Sequence, residues 1–270
     1  MPYAMNDLDD VRIYYEYAGG DGPPLVLYHG SATSSLMWKH LGYVEWLTEE
    51  YRVIMIDARG HGRSDKPHDE AAYTMPLIAS DVVAVLDRAG VERASFFGYS
   101  MGGRVAYGLG LHAPERFDSF IIGGGTFEST PDGFDNATFP GALDTIASEG
   151  IEAFLDRWHE RLGMPLPPGV REMYLANDSK AIVAYLRRSQ REPSHEAALA
   201  RMTMPVLLFA GEHDTDRLDN STVAATRLPD ATLAVIPGED HASTIIRAVK
   251  VLPHILRFLA RVNGEQAEAA

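Results

Sequence analysis

The sequence predicts an α/β protein with a mostly parallel central sheet, helices on both faces and a helical cap inserted before the last two strands. Apolar runs of strand length alternate with segments whose apolar residues recur at helical spacing, which is typical of a parallel sheet. Between residues 126 and 201 we find helical patterns and no convincing strand. The alternation then resumes, so one large domain with an insertion accounts for the 270 residues.

Seven segments are interpreted as strands because they are short, apolar or alternating in polarity, and bounded by turn-forming residues. They are residues 11–17, 24–28, 51–56, 94–98, 120–122, 205–210 and 232–236. Apolar residues at helical spacing predict helices elsewhere in the two flanking parts of the chain. These helices cover roughly residues 35–49, 77–89, 103–112 and 245–262.

The insertion is interpreted as a cap, because ligands of open α/β sheets bind at the carboxyl edge of the strands. The alternative is a helical subdomain that does not touch the site. Two apolar helix faces are expected in it, one with Ile146, Ile151, Phe154, Leu155 and Trp158, the other with Ile182, Val183, Tyr185 and Leu186. The core is then residues 1–125 and 202–262, the cap 126–201, and the tail 263–270 is expected to be disordered.

Composition excludes several classes of function. The net charge of −14 argues against nucleic acid or an anionic membrane as a partner. The chain has no cysteine, so neither disulfides nor thiol chemistry can operate. The acidic N-terminus lacks the apolar region of a secretion signal, and no apolar run approaches the ~20 residues of a membrane-spanning helix. We therefore expect a soluble cytoplasmic protein.

The most informative motif is Gly98-Tyr99-Ser100-Met101-Gly102, which lies between a predicted strand and a predicted helix. A G-x-S-x-G motif in that position is typical of a nucleophile elbow, a sharp turn that exposes the serine hydroxyl at the edge of a sheet. The glycines at its ends allow strand and helix to approach without a Cβ clash. The motif predicts that Ser100 is a nucleophile.

A serine nucleophile needs a base, and the position of His241 favours it among the ten histidines. His241 follows the last predicted strand, which places it in a loop at the same sheet edge as Ser100. His213 is the closest rival, but it adjoins an acidic pair and leaves the position after the last strand without a base. The other histidines considered lie in loop motifs with a structural explanation or on helices: His29, His61, His112 and His254.

The base needs a carboxylate to orient it, and Asp214 is the preferred candidate. It follows the apolar strand at 205–210, while Asp216 and Glu212 are nearby alternatives. The order Ser100, Asp214, His241 is the order that α/β-hydrolase triads follow.

Negative charge that develops on a carbonyl oxygen requires two backbone donors, each worth on the order of 3 kcal/mol of barrier. We expect these donors to be the N–H groups of Met101, after the nucleophile, and Ser31, after the strand at 24–28. Trp158 and Met164 are candidate walls of the substrate pocket, although core packing is the more common role for such side chains.

Five further motifs, in order along the chain, resemble those of the α/β-hydrolase superfamily over almost the full length of the sequence. They are His29-Gly30 followed by Trp38, DARGHGRS at 57–64, APER at 113–116, GEHD at 211–214 and GEDH at 238–241. The resemblance implies loop-scaffolding roles for Asp57, Arg59 and Ser64, and a structural role for His61. The front half is similar to enol-lactonases, carboxylesterases and cofactor-free perhydrolases. Serine at the elbow separates the chain from dehalogenases and epoxide hydrolases, which carry aspartate there.

These observations predict a serine hydrolase that cleaves a small carboxylic ester or lactone through an acyl-enzyme, with no metal and no cofactor. Perhydrolysis of the haloperoxidase-like kind and carbon–carbon bond hydrolysis are alternatives on the same triad. A small-molecule receptor that turns over slowly is an alternative of a different class.

Overall fold

The structure, a computed structural model, describes residues 2–128, 130–163 and 169–269. Its strands are β1 (Tyr3–Met5), β2 (Arg12–Gly19), β3 (Pro24–Tyr28), β4 (Arg52–Ile56), β5 (Ala94–Tyr99), β6 (Phe117–Gly123), β7 (Val206–Gly211) and β8 (Ala231–Ile236). They form one sheet in the order β1-β2-β4-β3-β5-β6-β7-β8. The pairs from β4 to β8 are parallel, and β1 and β2 are added antiparallel. The predicted α/β class with a mostly parallel sheet is confirmed.

The helices complete the layers around this sheet. They are α1 (Leu36–His40), α2 (Tyr43–Leu47), α3 (Met75–Arg88), α4 (Met101–His112), α5 (Gly133–Ala137), α6 (Ala142–Glu149), α7 (Ile151–Leu162), α8 (Val170–Leu175), α9 (Ser179–Gln190), α10 (Glu196–Arg201), α11 (Thr215–Arg227), α12 (His241–Ile246) and α13 (Ala248–Ala269). Every residue of β5 and of β7 is buried. Since successive side chains of a strand point to opposite faces, both faces of the sheet are covered. None of the helices in the described part of the chain is long and apolar enough to cross a membrane.

The strand register brings the predicted motifs to one edge. Tyr28 at the end of β3 pairs with Ile56 of β4 and with Gly98 of β5. On the other side of β5, Tyr99 pairs with Gly123. Because these strands are parallel, the loops that follow them all emerge at the carboxyl edge of the sheet. The segments after β7 and β8 reach the same edge, since Gly211 pairs with Ile236.

The elbow depends on very close backbone packing. A Cβ on Gly98 would lie 2.1 Å from the carbonyl oxygen of Gly102, and a Cβ on Gly102 would lie 2.2 Å from that of Tyr28. Real Cβ atoms do not approach backbone atoms so closely, so both positions require glycine. The absence of these two side chains lets α4 begin directly at the end of β5 and against β3.

The segment between β6 and β7 forms the six helices α5–α10, and its described residues contain no strand. Helix α7 buries Ile151, Phe154, Leu155 and Trp158. The prediction that Ile146 shares this helix is wrong, because Gly150 with φ of +90° separates it into α6. Helix α8 packs on α1, and α10 packs on α4 and α11, so the segment contacts the core both near its middle and at its C-terminal end.

The structure differs from the sequence predictions at other boundaries. The helix predicted over 35–49 is two short helices, because Gly42 adopts a left-handed φ of +78° between them. Strand β1 has three residues, too few for a recognisable pattern. Helix α13 continues to Ala269, although the sequence predicted disorder over 263–270. Glutamate, glutamine and alanine dominate that end and are strong helix formers.

Candidate active site

Ser100 occupies a strained backbone position between β5 and α4. Its φ of 55° and ψ of −108° are unusual for a residue with a side chain. Its N–H donates to the carbonyl oxygen of Gly123 at 2.7 Å, and its own carbonyl accepts from the N–H of Arg104 at 3.0 Å. These two bonds hold the turn on both sides, which is the arrangement expected of a nucleophile elbow.

The structure brings Ser100, His241 and Asp214 into one hydrogen-bonded line. The Ser100 hydroxyl lies 2.9 Å from Nε2 of His241, and Nδ1 of His241 lies 2.6 Å from a carboxylate oxygen of Asp214. An ionised carboxylate only accepts hydrogen bonds, so Nδ1 carries the proton and Nε2 is free to accept one from the serine. The prediction that His241 lies in a loop is wrong: it is the first residue of α12, whose N-terminus Asp240 caps.

The rival residues make other contacts. Glu212 accepts a hydrogen bond from the N–H of Gly238, and Asp216 accepts one from the side chain of Asn136. His213 is exposed. Within the described parts of the chain, Asp214 is therefore the carboxylate that contacts the His241 imidazole.

Two residues that the sequence analysis missed support this line. Arg217 is buried on α11, and its Nε lies 3.8 Å from the second carboxylate oxygen of Asp214. The same guanidinium donates to the carbonyl oxygen of Gly133 in the cap. Tyr99 packs its ring 5.4 Å from the His241 ring and donates its hydroxyl to the His241 carbonyl oxygen. The sequence could have indicated the Arg217–Asp214 contact only through the three-residue spacing of the pair, since residues three apart on a helix are neighbours.

The two candidate oxyanion donors are available. Neither the N–H of Ser31 nor that of Met101 donates a hydrogen bond to any residue that the structure describes. A Cβ on Gly30 would lie 3.6 Å from Cβ of Ser100, so the loop that carries Ser31 lies beside the serine. Met101 is the first residue of α4, where the helix dipole favours negative charge.

Two neutral imidazoles lie under this loop. Nδ1 of His29 donates to the carbonyl oxygen of Gly30 at 2.8 Å, and its Nε2 accepts from the N–H of Ala58 at 3.0 Å. Nδ1 of His61 donates to the carbonyl oxygen of Arg59 at 3.0 Å, while Nε2 accepts from the N–H of Ala32 at 3.1 Å. Burial lowers the pKa of His29 to about 4 and that of His61 to about 3. Each ring must stay uncharged to make both contacts.

Asp57 and Ser64 of the DARGHGRS segment bind backbone groups, and Arg59 forms an ion pair. The Asp57 carboxylate accepts from the N–H groups of Ser35 and Arg63 at 2.7 and 2.8 Å. Ser64 donates to the carbonyl oxygen of Asp57 at 2.6 Å. Arg59 forms a buried ion pair with Asp81 at 2.6 Å. These contacts are those of a loop scaffold, and none of them reaches the Ser100 hydroxyl.

Ser100 lies between two small lobes of a cavity. An apolar lobe of about 100 Å³ is also lined by His241 and Trp158, and by Met37, Leu41, Phe134 and Ile245. A polar lobe of about 70 Å³ is lined by Met101, Arg104, Thr126, Gln190 and Arg217. Trp158 thus reaches the cavity, whereas Met164 lies outside the described residues. In the described part of the chain, no group of three or more histidine, aspartate or glutamate side chains could hold a metal ion.

Arg104, a residue of α4, connects this helix to both ends of the cap. Its guanidinium donates to the carbonyl oxygens of Thr126 and Glu128, where the chain leaves β6. It also donates to those of Glu192 and Pro193, shortly before α10. One buried side chain therefore binds the two segments where the cap joins the core.

Comparisons with known proteins agree with this architecture. A family model described as alpha/beta hydrolase fold matches residues 23–167. A putative carbamate hydrolase of Azorhizobium caulinodans is 29% identical over 97% of this chain and 100% of its own. The 3-oxoadipate enol-lactonase 2 of Acinetobacter baylyi is 27% identical over 76% of this chain and 77% of its own. The crystal structure of a hydrolase from Pseudomonas aeruginosa is 26% identical, with a TM-score of 0.80 over 95% of this chain and 97% of its own.

Because His29 and His61 are buried as neutral imidazoles, we expect the folded state to lose stability in acid. An exposed imidazole in the unfolded chain has a pKa near ~6.5, whereas the folded-state pKa values of His29 and His61 are lowered to about 4 and about 3. The unfolded state therefore binds more protons in this window, and stability present above pH ~6.5 is lost as the pH falls. The loss is at most about 1.4 kcal/mol per pH unit for each ring.

Urea unfolding at pH 7 and pH 5 measures this effect. His61→Gln should be less stable at pH 7 but should lose less stability on acidification than the unsubstituted protein. His159→Gln, which removes an exposed imidazole on α7, is the matched control and should follow the unsubstituted protein. An equal loss in His61→Gln and the control would contradict the assignment of neutral His61.

Proposed function

Because the chain belongs to the α/β-hydrolase fold family, we propose that it is a serine hydrolase that cleaves a small carboxylic ester or lactone through an acyl-enzyme. The observation that carries the proposal is the hydrogen-bonded line from Ser100 through His241 to Asp214, which ends inside a cavity. The similarity to an enol-lactonase supports an ester-type bond, since a lactone is a cyclic ester.

The first half of the reaction makes the acyl-enzyme. Oγ of Ser100 attacks the carbonyl carbon while Nε2 of His241 takes the hydroxyl proton. Asp214 stabilises the imidazolium that forms, and the carbonyl oxygen becomes an oxyanion that accepts hydrogen bonds from the N–H groups of Ser31 and Met101. The intermediate then expels the alcohol, which takes its proton from Nε2. The acyl group stays on Ser100 as an ester.

The second half of the reaction hydrolyses the acyl-enzyme and regenerates the free enzyme. Water enters where the alcohol left, and Nε2 of His241 takes a proton from it as its oxygen attacks the acyl carbon. The same N–H pair binds the second oxyanion. When the Ser100–acyl bond breaks, the serine oxygen recovers the proton from His241 and the carboxylic acid is released. No step requires a metal or a cofactor.

The cavity lobes orient the substrate. His241 must reach the oxygen of the leaving alcohol, and it lines the apolar lobe, whereas the polar lobe is lined by Met101 and Arg104. We therefore place the alcohol in the apolar lobe and direct the acyl group toward the polar lobe. At about 100 Å³ the apolar lobe is smaller than the roughly 300–1,000 Å³ of drug-sized pockets, which favours small alcohols.

Burst kinetics with p-nitrophenyl butyrate test the acyl-enzyme. The unsubstituted protein should release about one equivalent of p-nitrophenol rapidly before steady turnover, because acylation by an activated ester precedes slower hydrolysis. Ser100→Ala should lose the burst and at least about 1,000-fold in kcat. Ser148→Ala, an exposed serine of α6, is the control and should keep both.

A burst that survives in Ser100→Ala would contradict the proposed mechanism.

Substitution of Trp158 tests whether the alcohol group of the substrate binds in the apolar lobe. Its indole packs on Phe154 at 5.7 Å and on Tyr174 at 5.6 Å between ring centroids, so it is a fixed wall of the apolar lobe. Trp158→Ala should enlarge this lobe and raise kcat/KM for benzyl butyrate relative to methyl butyrate about tenfold.

The two esters share their acyl group, so their ratio reports on the alcohol side alone. Trp46→Ala makes the same change at a side chain that is 54% exposed, and it should leave the ratio unchanged. An unchanged or lower ratio in Trp158→Ala would place the alcohol elsewhere.

A further inference from the structure

We propose that Asn177, a residue of the cap, is a positioning residue for the oxyanion hole. Its side chain ties the cap to the loop that carries the Ser31 N–H, so that the docked cap helps to hold the donor in place. This inference rests on the proposed function, since it concerns the same site.

Asn177 is buried between α8 and α9, and its amide group bridges two core loops. Its Nδ2 donates to the carbonyl oxygen of Ala32 at 2.9 Å, and its Oδ1 accepts from the N–H of Gly62 at 3.0 Å. A third bond, from Nδ2 to the carbonyl oxygen of Met173 at 3.1 Å, fixes the amide within the cap. The side chain thus uses both its donor and its acceptor across the boundary between cap and core.

The Ala32 backbone needs this support. Its φ of 59° is in the left-handed region, which a residue with a Cβ adopts only when surrounding contacts hold it there. The N–H of Ala32 is held by Nε2 of His61, and its carbonyl oxygen is held by Asn177. The peptide groups on the two sides of Ala32 are therefore fixed by separate parts of the chain.

The preceding peptide group is the one that supplies the oxyanion donor. Nδ1 of His29 and the hydroxyl of Thr33 both donate to the carbonyl oxygen of Gly30, each at 2.8 Å. In a planar trans peptide the C=O and N–H bonds point in opposite directions. Holding the Gly30 oxygen on one side therefore directs the Ser31 N–H to the other, where Ser31 lines the cavity beside Ser100.

His29, Thr33 and His61 belong to the core, whereas Asn177 comes from the cap. The cap also supplies Trp158 and Phe154 to the apolar lobe. The same segment then bounds the substrate pocket and contacts the oxyanion loop, which links substrate enclosure to the group that stabilises the transition state. Loss of the Asn177 amide should leave substrate binding nearly intact and weaken the oxyanion hole.

The test compares an oxygen ester with its sulfur analogue. We would measure kcat and KM for p-nitrophenyl butyrate and O-(p-nitrophenyl) thionobutyrate, in which sulfur replaces the carbonyl oxygen. Sulfur is a weak hydrogen-bond acceptor, so the oxyanion hole favours the oxygen ester. In Asn177→Ala we expect kcat for the oxygen ester to fall about 10- to 100-fold with KM changed less than about threefold. The preference for the oxygen ester over the thionoester should shrink.

Two further variants make the result decisive. Asn177→Asp keeps the shape of the side chain but places a carboxylate oxygen against the Ala32 carbonyl oxygen. It should reduce the preference for the oxygen ester over the thionoester at least as much as Asn177→Ala does. Asn263→Ala makes the same truncation on α13, where the side chain binds the Tyr51 hydroxyl, and it should leave the preference unchanged. The positioning role would be overturned if Asn177→Ala lost the same factor in kcat on both esters, or if its kcat were unchanged. It would also be overturned if both Asn177 variants failed to fold while Asn263→Ala folded. Absence of a burst in the unsubstituted protein would instead refute the proposed function.

Discussion

The backbone of Ser100 is held in a conformation that its side chain disfavours, and the rest of the site depends on that constraint. It persists because β5, α4 and β3 approach so closely that only glycine fits at positions 98 and 102. A hydrogen bond from the Ser100 N–H to the carbonyl oxygen of Gly123 also fixes the turn to β6. The strain projects the hydroxyl beyond the sheet edge, and it leaves the next N–H, that of Met101, unpaired at the start of a helix.

A second constraint acts on the facing loop, which carries the other candidate donor. Among its supports, His29 and His61 are buried as neutral rings that each join two backbone segments. These two rings hold the loop without adding a charge beside the proposed oxyanion. On the side of the base, where an imidazolium forms during the proposed reaction, the carboxylate of Asp214 lies against His241, and Arg217 lies beside that carboxylate.

The sequence predicts the parts of this arrangement that depend on local patterns. Ser100, Asp214 and His241 each follow an apolar strand, and parallel strands present their carboxyl ends at one edge, so the sequence places all three at the same edge of the sheet. Asn177 could not be found in this way, because its partners lie 115 and 145 residues away and its segment has no motif. The break at Gly42 was missed for a related reason. A glycine is compatible with a helical pattern, and tertiary packing decides whether the helix continues.

The central claim is that Ser100 carries the acyl group during turnover, and mass spectrometry tests it most directly. The protein would be mixed with excess p-nitrophenyl butyrate, quenched in acid within the burst phase, digested and mapped. The account predicts one butyryl group on the Ser100 side chain at near-stoichiometric occupancy, and none at that position in Ser100→Ala. Continued turnover with Ser100 unmodified, or a butyryl group on another residue that disappears at the rate of turnover, would contradict it.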